Sequence, residues 1–115
     1  MIVEVRSYRI KPGHREEFIQ FFETQAVPAL RKFGMRVAGP FLDLENPNKF
    51  VWLRMFPTIE DREQMRDAFY EGELWKTKLE GFAMPLLESY DVILCEASAG
   101  CVYDAPGDSG GQARG

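Results

Sequence analysis

The sequence predicts an α+β domain, a ferredoxin-like βαββαβ sandwich with one antiparallel four-stranded sheet, over residues 1–96. Four β-rich runs are separated, in order, by one amphipathic helical segment, a tight turn and a pair of helical segments. Turn chemistry, Lys11-Pro12-Gly13 and Asn46-Pro47-Asn48, falls where those periods change. The length of 115 residues suits a single domain of this class, which needs no disulfide or metal to fold.

The first strand is expected over Ile2 to Ile10, rich in Ile2, Val3, Val5 and Tyr8. From His14 to Phe33 the apolar residues Phe18, Phe21, Phe22, Ala29, Leu30 and Phe33 recur at helical spacing, so one face is buried. Glu16 and Glu17 in its first turn and Arg31 and Lys32 in its last complement the helix dipole. Pro28 is expected to kink it and Gly34 to end it. Met35 to Glu45 reads as a second strand, with a bulge or bend at Gly39-Pro40 near a sheet edge.

Lys49 to Phe56 is the third strand. Phe50/Trp52/Arg54/Phe56 alternate with Val51/Leu53/Met55, so both sides are largely apolar and a central strand covered on both faces is expected. Thr58 and Asp61 resemble a capping box opening a helix that runs through Ile59, Met65, Ala68 and Phe69 to Gly72. A shorter helix carries Leu74, Trp75, Leu79 and Phe82, and the Met84-Pro85 step is expected to stop it. Glu88 to Glu96 is the last strand. Phe18, Phe21, Phe22, Phe33, Phe50, Phe56 and the methionines are read as core. A sheet so apolar away from its helices implies a homodimer with two sheets face to face.

Residues 97–115 hold five of the ten glycines and, as sizeable apolar groups, only Val102 and Tyr103. They cannot bury enough apolar area to offset their ordering entropy, and a flexible Gly/Ser/Asp-rich tail is expected. Cys95 and Cys101 are read as free thiols. With 14 Lys and Arg against 18 Asp and Glu, the net charge of −4 argues against a nucleic-acid partner and against docking on anionic membrane. No apolar run is long enough for a membrane span, and charges at Glu4 and Arg6 interrupt any signal-peptide core, so a cytoplasmic location is expected.

The ordered set VEVRSYRIKPGHREEF, QAVPALRKFG, FVWLRMF and FYEGELWKTKLE resembles the NIPSNAP family over residues 2–96. The resemblance implies a dimeric α/β barrel, a superfamily that also holds small monooxygenases, haem-degrading proteins and muconolactone isomerase-like enzymes. It implies no general activity and no catalytic set.

Phosphate loops, Cys-x-x-Cys pairs, paired histidines and Gly-x-Ser-x-Gly elbows are all absent. No metal or cofactor is expected, since the single His14 leaves too few ligands. His14 is the one side chain that titrates near neutrality, a candidate general base against a solvated helix-start residue. As a haem ligand it is poorly placed. Arg6 and Tyr8 share one face of the first strand, Trp52 and Arg54 one face of the third. If those faces coincide, two guanidiniums and two rings line one concavity suited to a flat aromatic or conjugated, oxygenated ligand. The competing reading is internal pairing of Arg6 with Glu4, with Asp91 or Glu96 nearby. Tyr70 and Trp75 flank the break at Gly72 as further binding residues, or as plain packing.

Two functions follow. One is a small-molecule-binding protein which, if enzymatic, would use cofactor-independent acid–base or oxygenase-type chemistry, with Arg6 and Arg54 on an oxyanion and Tyr8 or His14 moving a proton. The alternative is a non-enzymatic homodimeric protein-interaction module.

Overall fold

A computed structural model describes residues 1–102. The tail beyond residue 102, including Tyr103, lies outside the described residues. One antiparallel sheet is formed by β1 (Ile2–Ile10), β2 (Arg36–Leu42), β3 (Lys49–Phe56) and β4 (Leu87–Glu96), in the order β2-β3-β1-β4. That is the ferredoxin-like arrangement the sequence predicts, with β1 and β3 at the centre.

Between β1 and β2 the chain forms α1 (Arg15–Phe21), a π-helical segment (Phe22–Ala26) and α2 (Val27–Lys32). The expected kink at Pro28 takes the form of this π turn. Pro28 stands in the first turn of α2, where a missing N–H costs least, and the wider turn upstream spreads the carbonyls its ring would meet. Gly34 follows the helix with φ +94°. After β3, α3 (Ile59–Glu71) is capped by the Thr58 hydroxyl, which accepts from the Asp61 N–H at 3.0 Å. A second π-helical segment (Trp75–Leu79) leads into α4 (Glu80–Leu86). Pro85 does not stop this helix at Met84, as expected, but sits inside its last turn. The bond it forfeits would have reached the carbonyl of Gly81, an exposed residue whose carbonyl water can satisfy.

The strand ends also differ slightly from the expected ones. β2 is shorter than Met35 to Glu45, because the Asp43–Asn48 loop forms its own hydrogen-bonded turn on the Asp43 carboxylate and the Asn46 side chain. The Arg15 guanidinium locks that loop by donating to the carbonyls of Asp43, Asn46 and Lys49 at 2.9–3.1 Å. At Gly39-Pro40 the β2–β3 register shifts, on the edge strand, as the sequence suggests. Gly39 has φ +113°, and a Cβ there would lie 3.0 Å from the Trp52 Cβ and 3.2 Å from the Val51 carbonyl oxygen.

The core lies between the helices and one sheet face, built from Phe18, Phe22, Leu30, Phe50, Phe56 and Phe69 among others. Within one chain the helices cover only one face of β3. Phe50, Trp52, Arg54 and Phe56 are buried, whereas Val51, Leu53 and Met55 are only half-buried, because the helices of the described residues pack on one side. Both Cys95 and Cys101 are free thiols. Among the described residues no helix is long and apolar enough to cross a membrane.

Candidate functional site

Antiparallel pairing settles which strand faces coincide. Glu4 lies opposite Arg54, Arg6 opposite Trp52 and Tyr8 opposite Phe50, all on the helix side of the sheet. On the other flank of β1, Tyr90 and Val92 of β4 pair with Tyr8 and Arg6. The face that carries Phe50 and Phe56 into the core therefore also carries two arginines inward, and a buried charge needs partners.

Glu4 supplies them. Its carboxylate is wholly buried and accepts from Arg54 Nε at 2.7 Å, from Arg62 Nε of α3 at 2.6 Å and from Arg6 Nη1. Burial works against the charged carboxylate, but the three guanidiniums prevail and hold it below the ordinary carboxylate range. Internal pairing of Arg6 with Glu4 is thus present, yet it does not exhaust the positive charge, because three guanidiniums share one carboxylate. Arg6 and Arg54 also donate to hydroxyls, Arg6 Nε to Tyr8 at 3.3 Å and Arg54 Nη1 to Tyr70 at 3.1 Å. Burial pushes the Tyr8 phenol above its ordinary value, and the pull of Arg6 and Arg54 does not reverse this, so Tyr8 is a proton-bearing hydroxyl at neutral pH.

This polar group forms one wall of a cavity of about 430 Å³ between sheet and helices. Arg6, Tyr8, Trp52, Arg54, Tyr70 and Trp75, six of the seven residues singled out from sequence, line it. The opposite wall is apolar, with Phe18, Phe21 and Leu30 from the first helical stretch and Leu79 and Ala83 from the last. Each π-helical segment contributes a wall ring, Phe22 and Trp75 respectively, in keeping with the frequent placement of π turns at functional sites. The Trp52 ring packs edge-on to Phe22 at 4.8 Å and to Tyr8 at 5.8 Å, with Arg6 Cζ 5.4 Å from its centroid. Tyr70 and Trp75 pack against each other as a T-shaped pair at 5.1 Å, so they are packed and cavity-lining at once.

His14 is not brought to this group. It is exposed at the start of α1, with Nδ1 2.9 Å from the Glu17 carboxylate, and it is not on the cavity wall. Sequence reasoning missed Arg62 and Arg66, which reach the cavity from α3. The signal was the spacing of Arg62, Arg66 and Tyr70, which puts all three on one helical face. Among the described residues no three His, Cys, Asp or Glu side chains gather as a metal centre would require.

Comparison with known proteins gives a consistent picture. A sequence profile of the NIPSNAP family matches residues 3–94. The fold is similar to that of an uncharacterized NIPSNAP domain protein from Burkholderia xenovorans, at a TM-score of 0.79 and 21% identity, over 90% of this chain and 100% of that one. A NIPSNAP-like domain protein from the same organism gives a TM-score of 0.78 at 26% identity, over 91% of each chain. A putative antibiotic biosynthesis monooxygenase from Nitrosomonas europaea gives 0.65 at 16% identity, over 84% of this chain and 98% of that one. No curated protein matches the chain.

Proposed function

The chain belongs to the NIPSNAP family, and on that premise we propose that it binds a small, flat, oxygenated molecule in the cavity between sheet and helices. The observation that carries this reading is the convergence of Arg6, Arg54, Tyr8 and Tyr70 on one wall of a pocket otherwise lined by aromatic and aliphatic side chains. Ligand sites combine a mostly apolar lining with a few placed polar groups in this way, and a volume of about 430 Å³ lies within their usual range.

Guanidinium and hydroxyl donors aimed at one point stabilise an oxyanion such as an enolate or phenolate. The same wall would therefore serve cofactor-independent acid–base or oxygenase-type chemistry, Tyr8 donating a hydrogen bond to the oxygen on which charge develops.

The functional unit on this reading is a homodimer. Val3, Val5, Val51, Leu53 and Met55 are half-exposed on the outer sheet face and Ile93 is 62% exposed, a patch that a second copy of the sheet would cover. Native mass spectrometry of protein purified gently from its own host tests both parts together. A dimer carrying a discrete small-molecule mass is expected. A monomer would remove the dimer, and a protein that never retains or takes up a small molecule would remove the pocket assignment.

A further inference from the structure

We infer that the sheet-side wall of the cavity is a donor-only surface, and that its ligand is an anion meeting that wall solely with hydrogen-bond acceptors: an aromatic or unsaturated carboxylate with no hydroxyl or amine at that end. This rests on the small-molecule reading above and narrows it to one class. The guanidiniums of Arg6, Arg54 and Arg62 have donors and no acceptors. Tyr8 and Tyr70 each already accept from an arginine, and among the described residues nothing accepts their own protons. Trp52 can only donate. Its Nε1 is buried without a partner, on a side chain 2% exposed at the cavity wall. That N–H is too enclosed to meet a ligand, so the donors this wall offers are those of the arginines and the two tyrosine hydroxyls.

Acceptors that could serve a ligand donor are withheld at this end. Glu4, the carboxylate beside these groups, is fully buried behind the arginines, and both its oxygens accept from them. Glu80, the other acid near the cavity, is an exposed residue of α4 on the helix side. Charge points the same way. Three guanidiniums against one carboxylate leave 3 − 1 = +2 at this wall, although the chain as a whole carries −4. Anion uptake would therefore be a property of the cavity and not of the surface. A ligand hydroxyl placed here could accept from these donors but would bury its own proton without a partner, and an ammonium would face donors alone, a mismatch of roughly ten- to a hundredfold in affinity and more for the charged group.

Isothermal titration of the full chain with three probes of one shape tests this: 2-naphthoate, 2-naphthol and (2-naphthyl)methylammonium. Naphthoate is expected to bind one per chain, at least tenfold tighter than naphthol and about a hundredfold tighter than the ammonium. Tyr8→Phe, which removes only the phenol hydroxyl of a residue on the cavity wall, should weaken naphthoate about tenfold. Tyr70→Phe should weaken it several-fold and supplies the comparison if Tyr8→Phe does not fold. Naphthol or the ammonium binding as tightly as naphthoate, or naphthoate indifferent to both substitutions, overturns the donor-only inference and leaves the cavity a ligand site. No binding by any probe, with no small molecule retained in the native mass spectrum, overturns both.

Discussion

Replacing Glu4 by glutamine separates the energetic role of the buried carboxylate from its shape. The side chain is fully buried and takes charge-assisted hydrogen bonds from Arg6, Arg54 and Arg62. Glutamine keeps one acceptor oxygen, but its amide nitrogen turns a donor toward an arginine donor, and the compensating charge is gone. Removing one member of a buried ion pair costs about 3–5 kcal/mol, chiefly because the partner charge is left uncompensated. Arg62 is 15% exposed at its side chain and can turn outward, whereas Arg54 at 1% cannot, so most of the cost falls on Arg54. Against a domain stability of about 5–15 kcal/mol the loss is large. At about 4–5 °C per kcal/mol for a domain near 100 residues, Tm should fall by about 15–20 °C. Urea unfolding is the direct assay, followed by the fluorescence of Trp52 and Trp75, the two tryptophans of the chain, which both line the cavity. A cost below about 1 kcal/mol for Glu4→Gln would refute the claim that this carboxylate holds the arginines in place.

The same carboxylate sets an acid limit. Its folded-state pKa is lowered, so the unfolded chain binds the proton first, and stability from Glu4 is present above the ordinary carboxylate range and lost as pH falls below it. The gap between wild type and Glu4→Gln in urea should therefore be full at pH 7 and shrink below about pH 4.5; a gap that widened in acid would contradict this sign. Arg15→Ala removes three carbonyl contacts across the β2–β3 loop and should cost about 2 kcal/mol, with faster amide exchange confined to residues 43–49. Gly39→Ala adds a Cβ within 3.2 Å of Trp52 and Val51 at a φ of +113°. A loss of about 1–3 kcal/mol with a shift in tryptophan emission is expected, and an unchanged spectrum would remove the claimed contact.

The fold was legible because its signals are local: β-branched runs, turn residues and Phe spacing each fix an element without knowledge of its neighbours. The meeting of Arg6 and Trp52 was legible too, since strand order and parity bring them together. Other features were hidden for physical reasons. Arg62 looks like a solvated helix residue until the buried acid it serves is known to be Glu4, 58 positions away. His14 attracts notice by its intrinsic pKa, a property independent of place, and its place is the exposed start of α1. Pro28 and Pro85 announce a broken helix, but wider turns and an exposed carbonyl allow the helical path to continue. Coverage of the outer face of β3 could not be read from one chain, because apolar composition shows that a surface seeks cover and not which molecule supplies it.

The two π-helical segments also bear on how this wall can change over generations. A π turn holds one residue more than the α-helix around it, so each helical wall carries a stored insertion. Deleting a single residue within 22–26 would let the stretch close as continuous α-helix with its hydrogen bonding intact. Phe18 and Phe21 would keep their facing relative to Ala29 and Leu30, because the wide turn sweeps about the same angle as an α-helix one residue shorter, but Phe22 would lose its place in the wide turn and Pro28 would stand against the carbonyl of an ordinary α-turn. The sheet, with its arginines and its buried acid, would stay where it is. Length variation of one residue in either helical wall is thus a route by which relatives can reshape the apolar half of the cavity while leaving the charged half untouched.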